Sequence, residues 1–176
     1  FISFLRKRDI AEEFPNKDKD LPYNLQILIN NELIEVIWVP NNYKSYKKII
    51  FTAVKYPTLP IISADDDCIY KYDYASELYN HWIQSKNKST CFVSYYVKDF
   101  KNGIFNTGGY ATLHPPGVYS IDDINFITSG FAYHLFNCDE DVFYMFLRKK
   151  HANPTYINLQ KHINDVVWSH DEIEPL

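Results

Sequence analysis

Residues 60–70 (PIISADDDCIY) constrain the fold of this 176-residue chain more than any other segment. An apolar run typical of a buried strand ends there in three consecutive carboxylates, Asp65, Asp66 and Asp67. Because burial of unpaired negative charges is very costly, these residues must follow the carboxyl end of the strand and face solvent or a cation. In an extended backbone, Asp65 and Asp67 project to one side and Asp66 to the other.

This acidic strand end has two interpretations. Two carboxylates on one side suit a hard divalent cation that holds a phosphate-bearing ligand at the edge of an α/β sheet. The alternative is a solvated acidic turn. We favour the metal site, because turns more often contain Gly, Asn or Pro than three carboxylates in a row.

The composition excludes several classes of protein. The formal net charge of −4 gives no overall attraction to nucleic acid, and no apolar run approaches the roughly 20 residues that span a bilayer. Three widely separated cysteines without a CxxC pair argue against a zinc site or a disulfide framework. No GxSxG, Walker or HExxH motif is present. We expect a cytoplasmic protein, and peripheral attachment to the inner face of the membrane stays open.

The order of predicted elements is typical of an α/β sheet with crossover helices. Periodicity and capping residues predict strands over residues 1–5, 33–39, 60–64 and 90–97, and helices over about 23–31, 43–56, 73–85, 120–127 and 142–150. The segment 102–109 is loop-like, and the tail from residue 153 is interpreted as a flap, a docking tail or a partly disordered end.

Two further clusters have both a structural and a functional interpretation. Lys44, Lys47 and Lys48 lie on the predicted helix 43–56, where a solvated face is the favoured interpretation and contact with a phosphate is the alternative. Asp139, Glu140 and Asp141 begin the predicted helix 142–150. Capping of free N–H groups explains such a cluster by itself, whereas a general base is the functional alternative.

Four blocks of the sequence, taken in order, resemble a bacterial GT-A glycosyltransferase family, the family-two-like enzymes of polysaccharide and lipopolysaccharide assembly. The blocks are Lys47-Lys48, PIISADDDCIY, GGYATLHPPGVY and CDEDVFYMFLRKK, and the resemblance covers roughly residues 1–157. It implies a three-layer α/β/α fold with a mixed, mainly parallel sheet. Phe143 stands where the family more often has Trp, and residues 1–5 resemble its second strand, so the resemblance implies an N-terminally truncated form.

The resemblance also implies roles for individual residues. Nucleotide-sugar binding is expected from Lys48, Asp65, Asp66, Gly108 and Gly109. The divalent metal, Mn²⁺ or Mg²⁺, is expected on Asp65 and Asp67. His170 is a candidate for a further ligand, although a single histidine in an unpatterned tail is more often a surface residue. Within the pair Glu140-Asp141, Asp141 is the expected catalytic base, which deprotonates the acceptor hydroxyl.

These expectations describe one glycosyltransferase-like domain over residues 1–176. Residues 1–97 form its partial nucleotide-binding half, 98–157 its acceptor and catalytic half, and 158–176 its tail. The expected reaction moves a sugar from a nucleoside diphosphate donor, with UDP favoured, to a hydroxyl of a glycan or glycolipid acceptor. An inactive remnant that serves as a binding module and a metal-dependent phosphoryl or nucleotidyl transferase are the alternatives.

Overall fold

The computed structural model describes residues 15–39, 47–65, 68–95, 97–100, 103–106, 111–129, 154–159 and 167–169. A 3-10 turn at Lys17–Asp20 precedes four helices: α1 (Tyr23–Asn30), α2 (Ile50–Lys55), α3 (Tyr74–Gln84) and α4 (Ile121–Thr128). The strands are β1 (Ile61–Ser63), β2 (Cys68–Tyr70), β3 (Cys91–Ser94), β4 (Val97–Phe100), β5 (Gly103–Asn106), β6 (Thr112–His114), β7 (Thr155–Asn158) and β8 (Val167–Ser169).

The largest sheet in the described part of the chain has four strands in the order β1-β6-β3-β7. β6 pairs antiparallel with both β1 and β3, while β3 and β7 pair in parallel. β1, β3 and β7 therefore run in one direction, and their carboxyl ends meet at one edge of the sheet. The prediction of a mixed α/β protein is confirmed. The position of β6 between β1 and β3 was not predicted.

Two apolar clusters lie against this sheet, and the alternation of side chains along the strands assigns them to opposite faces. On one face Ile49, Ile50 and Ala53 around α2 pack with Phe92 and with residues of the segment that leads into α4. On the other face Leu78 and Trp82 of α3 pack with Cys91, Val93 and Leu113. The alternation is visible within β1, where Ile61 packs against the first cluster and Ile62 against the second.

Two smaller sheets accompany the large one. β4 and β5 form an antiparallel hairpin in which Phe100 is opposite Gly103. β2 pairs antiparallel with β8, so that Cys68 lies opposite Ser169. The second pairing attaches a segment near the end of the chain to the strand that directly follows the acidic triplet.

Several predicted elements are confirmed. α1 and α3 begin and end within one residue of the predicted helices 23–31 and 73–85, and β1 lies within the predicted strand 60–64. The predicted capping box begins α4, where the backbone N–H of Ser120 donates to Asp123 Oδ2 at 2.8 Å. The predicted helix 43–56 is confirmed over α2 (Ile50–Lys55). Its first residues, 43–46, lie outside the described residues.

The predicted strand 33–39 is wrong, because these residues form neither helix nor strand. This segment is bound to neighbouring helices instead: Glu35 contacts Lys55 and Tyr56, and Trp38 donates to Asp18. The prediction of a loop over residues 102–109 is also wrong in part, because Gly103–Asn106 form the strand β5. In the described parts of the tail, β7 and β8 both pair with earlier strands, as expected of a docking tail. The predicted strand 1–5 and helix 142–150 lie outside the described residues.

Candidate functional site

The candidate site lies at the carboxyl edge of the four-stranded sheet, where β1, β3 and β7 end. Asp65 follows β1 by two residues, and Tyr95 directly follows β3. β6 runs in the opposite direction and begins at this edge, with Thr112 opposite Ser63. The sheet topology therefore brings the start of the acidic triplet next to the start of the strand that follows Gly108 and Gly109 in sequence.

Lys48 and Asp65 form an ion pair at this edge. The side chains are 29% and 18% exposed, so both charged groups are partly withdrawn from solvent. Lys47 is only 5% exposed. The favoured interpretation of these lysines as a solvated helix face is therefore wrong, because one is buried and the other neutralises the first carboxylate of the triplet.

The backbone around Asp65 is held by an aromatic residue from β2. The Asp65 N–H donates to the hydroxyl oxygen of Tyr70 at 2.8 Å. The Tyr70 ring in turn stacks on Tyr74 at the start of α3, with ring centroids 4.8 Å apart. This hydrogen bond joins the two ends of the segment that carries Asp66 and Asp67 in the sequence, and it reduces the conformational freedom of Asp65.

Four polar residues form a row across the sheet at the same edge. The strand register places Ser63, Thr112, Ser94 and Asn158 opposite one another in successive strands. The first three are buried, and the Ser94 and Thr112 hydroxyls are 2.9 Å apart. We call Ser63, Thr112 and Ser94 the hydroxyl row. Burial of polar groups is favourable only when they are hydrogen-bonded, so these contacts fix the side-chain orientation of the row.

A buried histidine extends the hydroxyl row away from the edge. His114 Nε2 lies 3.1 Å from Ser63 Oγ, and its Nδ1 lies 3.1 Å from the hydroxyl of Tyr119. Between His114 and Tyr119 the chain turns at Gly117, whose φ of +73° is in the left-handed region that favours glycine. The imidazole thus joins β1 to the segment that leads into α4. His114 is fully buried.

The opposite face also carries a polar side chain, Tyr95, at the carboxyl edge. Tyr95 donates its hydroxyl to Glu77 Oε2 at 2.8 Å and lies 3.3 Å from the carbonyl oxygen of Tyr74. Burial of the phenol and its contact with the Glu77 carboxylate raise the pKa of Tyr95 well above its ordinary value. Tyr95 therefore acts as a hydrogen-bond donor at any physiological pH.

Of the residues predicted for the site, the structure brings Lys48 and Asp65 into contact. The others lie outside the described residues: Asp66, Asp67, Gly108, Gly109, Glu140, Asp141 and His170. Among described side chains there is no group of three or more His, Cys, Asp and Glu residues suited to a metal ion. In the pairing of β2 with β8, Cys68 lies opposite Ser169. In the sequence, Cys68 directly follows Asp67, and Ser169 directly precedes His170.

Sequence reasoning missed the hydroxyl row and the contact between Tyr70 and Asp65. A serine at the end of an apolar strand is common, and its alignment with Thr112 and Ser94 depends on the strand order rather than on any local pattern. Tyr70 is one of 15 tyrosines, so nothing in the sequence distinguishes it as a partner of Asp65. Only the pairing of strands reveals that the hydroxyl row lies at the edge where Asp65 follows β1.

Comparisons of the chain with family models, with curated proteins and with solved structures find no match. In the ranges that the structure describes, no helix combines the length and apolar character needed to cross a bilayer. The geometry of the carboxyl edge is therefore the basis for the function proposed next.

Proposed function

We propose that this chain is a metal-dependent inverting glycosyltransferase with a GT-A-like fold. It moves a sugar from a nucleoside diphosphate donor, with UDP favoured, to a hydroxyl of a glycan or glycolipid acceptor. The observation that carries the proposal is the pairing of β1 with β6. These strands belong to two blocks of the glycosyltransferase resemblance that are separated by about 40 residues in sequence, and they are adjacent in the sheet.

The arrangement of the apolar clusters supports a three-layer α/β/α architecture. One cluster packs α2 and the segment leading into α4 against the face that carries Phe92. The other packs α3 against the face that carries Val93 and Leu113. With helices on both faces, the edges are the accessible parts of such a sheet. In open α/β sheets, ligands characteristically bind outside the carboxyl ends of the strands.

One residue at that edge, Asp65, has a side chain suited to a divalent cation. Asp65 supplies hard carboxylate oxygens, which Mn²⁺ and Mg²⁺ prefer, and it is partly shielded from solvent beside a positively charged partner. Asp67 and His170 are the further ligands in this proposal. A bound metal would supply positive charge to the diphosphate as it leaves.

The roles of the other residues follow from their chemistry. Lys48 donates to phosphate oxygens, for which its ammonium group is suited. Gly108 and Gly109 leave space for the donor sugar because they carry no side chain. Asp141, assisted by its neighbour Glu140, accepts the proton from the attacking hydroxyl of the acceptor, and this makes the reaction an inverting single displacement.

The experiment that tests the proposal separates donor binding from transfer. Release of UDP from a panel of UDP-sugars is measured with Mn²⁺ and a mixture of glycan acceptors, for the unmodified chain and for Asp141→Asn. Loss of a general base lowers the rate by about 10²–10⁴-fold, and calorimetric UDP binding should be unchanged. Asp139→Asn is the matched control, since it removes a carboxylate from the same cluster without removing the assigned base.

Three results would contradict the proposal in different ways. Equal rates for Asp141→Asn and the unmodified chain would show that the carboxylate caps a helix rather than acting as a base. UDP binding without transfer to any acceptor would favour the inactive remnant. Binding that stays the same in Asp67→Asn, or after chelation of the metal, would rule out the metal site.

A further inference from the structure

Lys48 and Asp65 form an ion pair, although the proposed function assigns each of them to a different binding partner. Asp65 is assigned to the metal and Lys48 to the diphosphate, but in the structure they bind each other. We propose that Lys48 competes with the metal for Asp65 and that the diphosphate relieves this competition. Lys48 is thus the residue that couples metal binding to nucleotide binding. This inference rests on the proposed function.

Both partners are held close to each other by their backbone surroundings. Lys48 directly precedes Ile49 and Ile50, which are fully buried in the apolar cluster around α2. The Asp65 N–H is bound to the Tyr70 hydroxyl at 2.8 Å. Because the backbone is anchored at both residues, an exchange of partners requires only that the Lys48 side chain turns about its own flexible stem.

Charge determines the direction of the exchange. An ammonium group on Asp65 cancels the negative charge that a divalent cation needs, and a cation at the same carboxylate repels the ammonium group. A metal that binds alone must therefore displace Lys48 into solvent. A diphosphate that arrives with the metal offers oxygens that accept hydrogen bonds from Lys48, so the displaced ammonium group gains a new partner.

The consequence is positive coupling between the two ligands. Each binds weakly alone, and each strengthens the binding of the other by the same factor, as thermodynamic linkage requires. Replacing Lys48 by a neutral residue removes the competitor and also the phosphate contact. Mn²⁺ alone should then bind about tenfold more tightly, the scale of one charge-assisted hydrogen bond, while UDP should strengthen Mn²⁺ binding much less than before.

The first experiment titrates Mn²⁺ into the chain and follows free Mn²⁺ by electron paramagnetic resonance, with and without saturating UDP. Lys48→Met and Lys48→Gln are compared with the unmodified chain. Lys55→Met is the matched control, because Lys55 also forms an ion pair with a carboxylate, Glu35, and ends α2, the helix that begins just after Lys48. Tighter binding of Mn²⁺ alone in both Lys48 variants, with reduced coupling to UDP and no change in Lys55→Met, supports the exchange.

A second measurement needs no substitution and remains decisive if the Lys48 variants fail to fold. An amine-acylating reagent is applied to the unmodified chain, and the labelling of each lysine is measured by mass spectrometry. Mn²⁺ alone should raise the labelling of Lys48, and Mn²⁺ with UDP should lower it below the ligand-free level. Lys55 is the internal control, and its labelling should stay constant.

Failure of the inference is distinguishable from failure of the proposed function. If UDP binding depends on Mn²⁺ but the Lys48 variants bind Mn²⁺ as the unmodified chain does, the exchange is overturned and the donor site stands. If the chain binds Mn²⁺ but the labelling of Lys48 does not change when Mn²⁺ is added, the exchange is likewise overturned and the donor site stands. If neither the unmodified chain nor any variant binds Mn²⁺, even with UDP present, the donor site and the exchange are both overturned.

Discussion

The two faces of the four-stranded sheet place their polar groups differently. The face that packs against α3 is apolar along its strands, with Val93 and Leu113 fully buried. The face that packs against α2 carries Phe92, but next to it runs the hydroxyl row of Ser63, Thr112 and Ser94. Hydrophobic burial alone would favour apolar residues at all these positions.

The difference indicates a division of roles. The face against α3 contributes stability mainly through apolar packing, and the contact between Tyr95 and Glu77 lies at its carboxyl edge. The face against α2 orients the hydroxyl row at that same edge. Fully satisfied polar networks fix one arrangement of side chains more strictly than apolar contacts do, and a binding edge requires such fixed geometry.

The largest expected effect tests the apolar face. Leu113→Ala removes a fully buried side chain from the cluster around α3, and the lost apolar contacts and the remaining cavity should lower the free energy of unfolding by about 2–5 kcal/mol. Urea denaturation of both proteins measures this. Leu59→Ala, at a position that is about half exposed, should change stability by less than about 0.5 kcal/mol. Equal effects at the two positions would mean that Leu113 is not part of the core.

The second prediction concerns the hydroxyl row. Thr112→Val keeps the shape of the side chain but removes the hydrogen bond to Ser94, which lies 2.9 Å away in a buried site, and should cost about 1–3 kcal/mol. The double variant with Ser94→Ala should cost less than the sum of the two single substitutions, because each disrupts the same contact. Thr155→Val on β7, at an exposed position, is the control. If the losses in free energy of unfolding from Thr112→Val and Ser94→Ala add up in the double variant, the two hydroxyl groups do not interact.

The smallest predicted effect concerns Tyr95 and appears mainly at alkaline pH. Tyr95→Phe removes the hydrogen bond to Glu77 and should cost about 1 kcal/mol at neutral pH. Because the pKa of Tyr95 is raised on folding, its contribution to stability is complete below about pH 10, the ordinary tyrosine value, and is lost as the pH rises above it.

Stability measured from pH 8 to 12 should therefore fall more steeply for the unmodified chain than for Tyr95→Phe. Tyr79→Phe, whose side chain is about half exposed, should follow the unmodified chain throughout. Parallel curves for the unmodified chain and Tyr95→Phe would contradict the proposed origin of the alkaline dependence.

Sequence reasoning succeeded where the signal is local. The periodic apolar residues of α1 and α3 and the Ser120–Asp123 capping box depend on neighbours within a few positions, and all three were predicted. The apolar run before the triplet predicted β1 and the placement of Asp65 at a strand end. These parts of the fold follow from side-chain spacing and capping chemistry alone.

Features that depend on distant pairing were not predictable. The insertion of β6 between β1 and β3, and the pairing of β8 with β2, join segments separated by about 50–100 residues, and three-residue strands carry little periodicity. The β-branched residues of 33–39 favour a strand locally, but Glu35 binds Lys55 and Tyr56 instead. The contact of Lys48 with Asp65 also depends on these tertiary constraints, although both residues had been assigned to one site.

The most direct test of the account is a calorimetric titration of UDP with Mn²⁺ present and with the metal chelated, for the unmodified chain, Asp65→Asn and Glu35→Gln. Glu35 is the matched control, since it is a second carboxylate paired with a lysine. The account predicts metal-dependent UDP binding that is weakened at least about tenfold in Asp65→Asn and unchanged in Glu35→Gln. Absence of binding in the unmodified chain, or equal binding in Asp65→Asn, would contradict a nucleotide site at the carboxyl edge of the sheet.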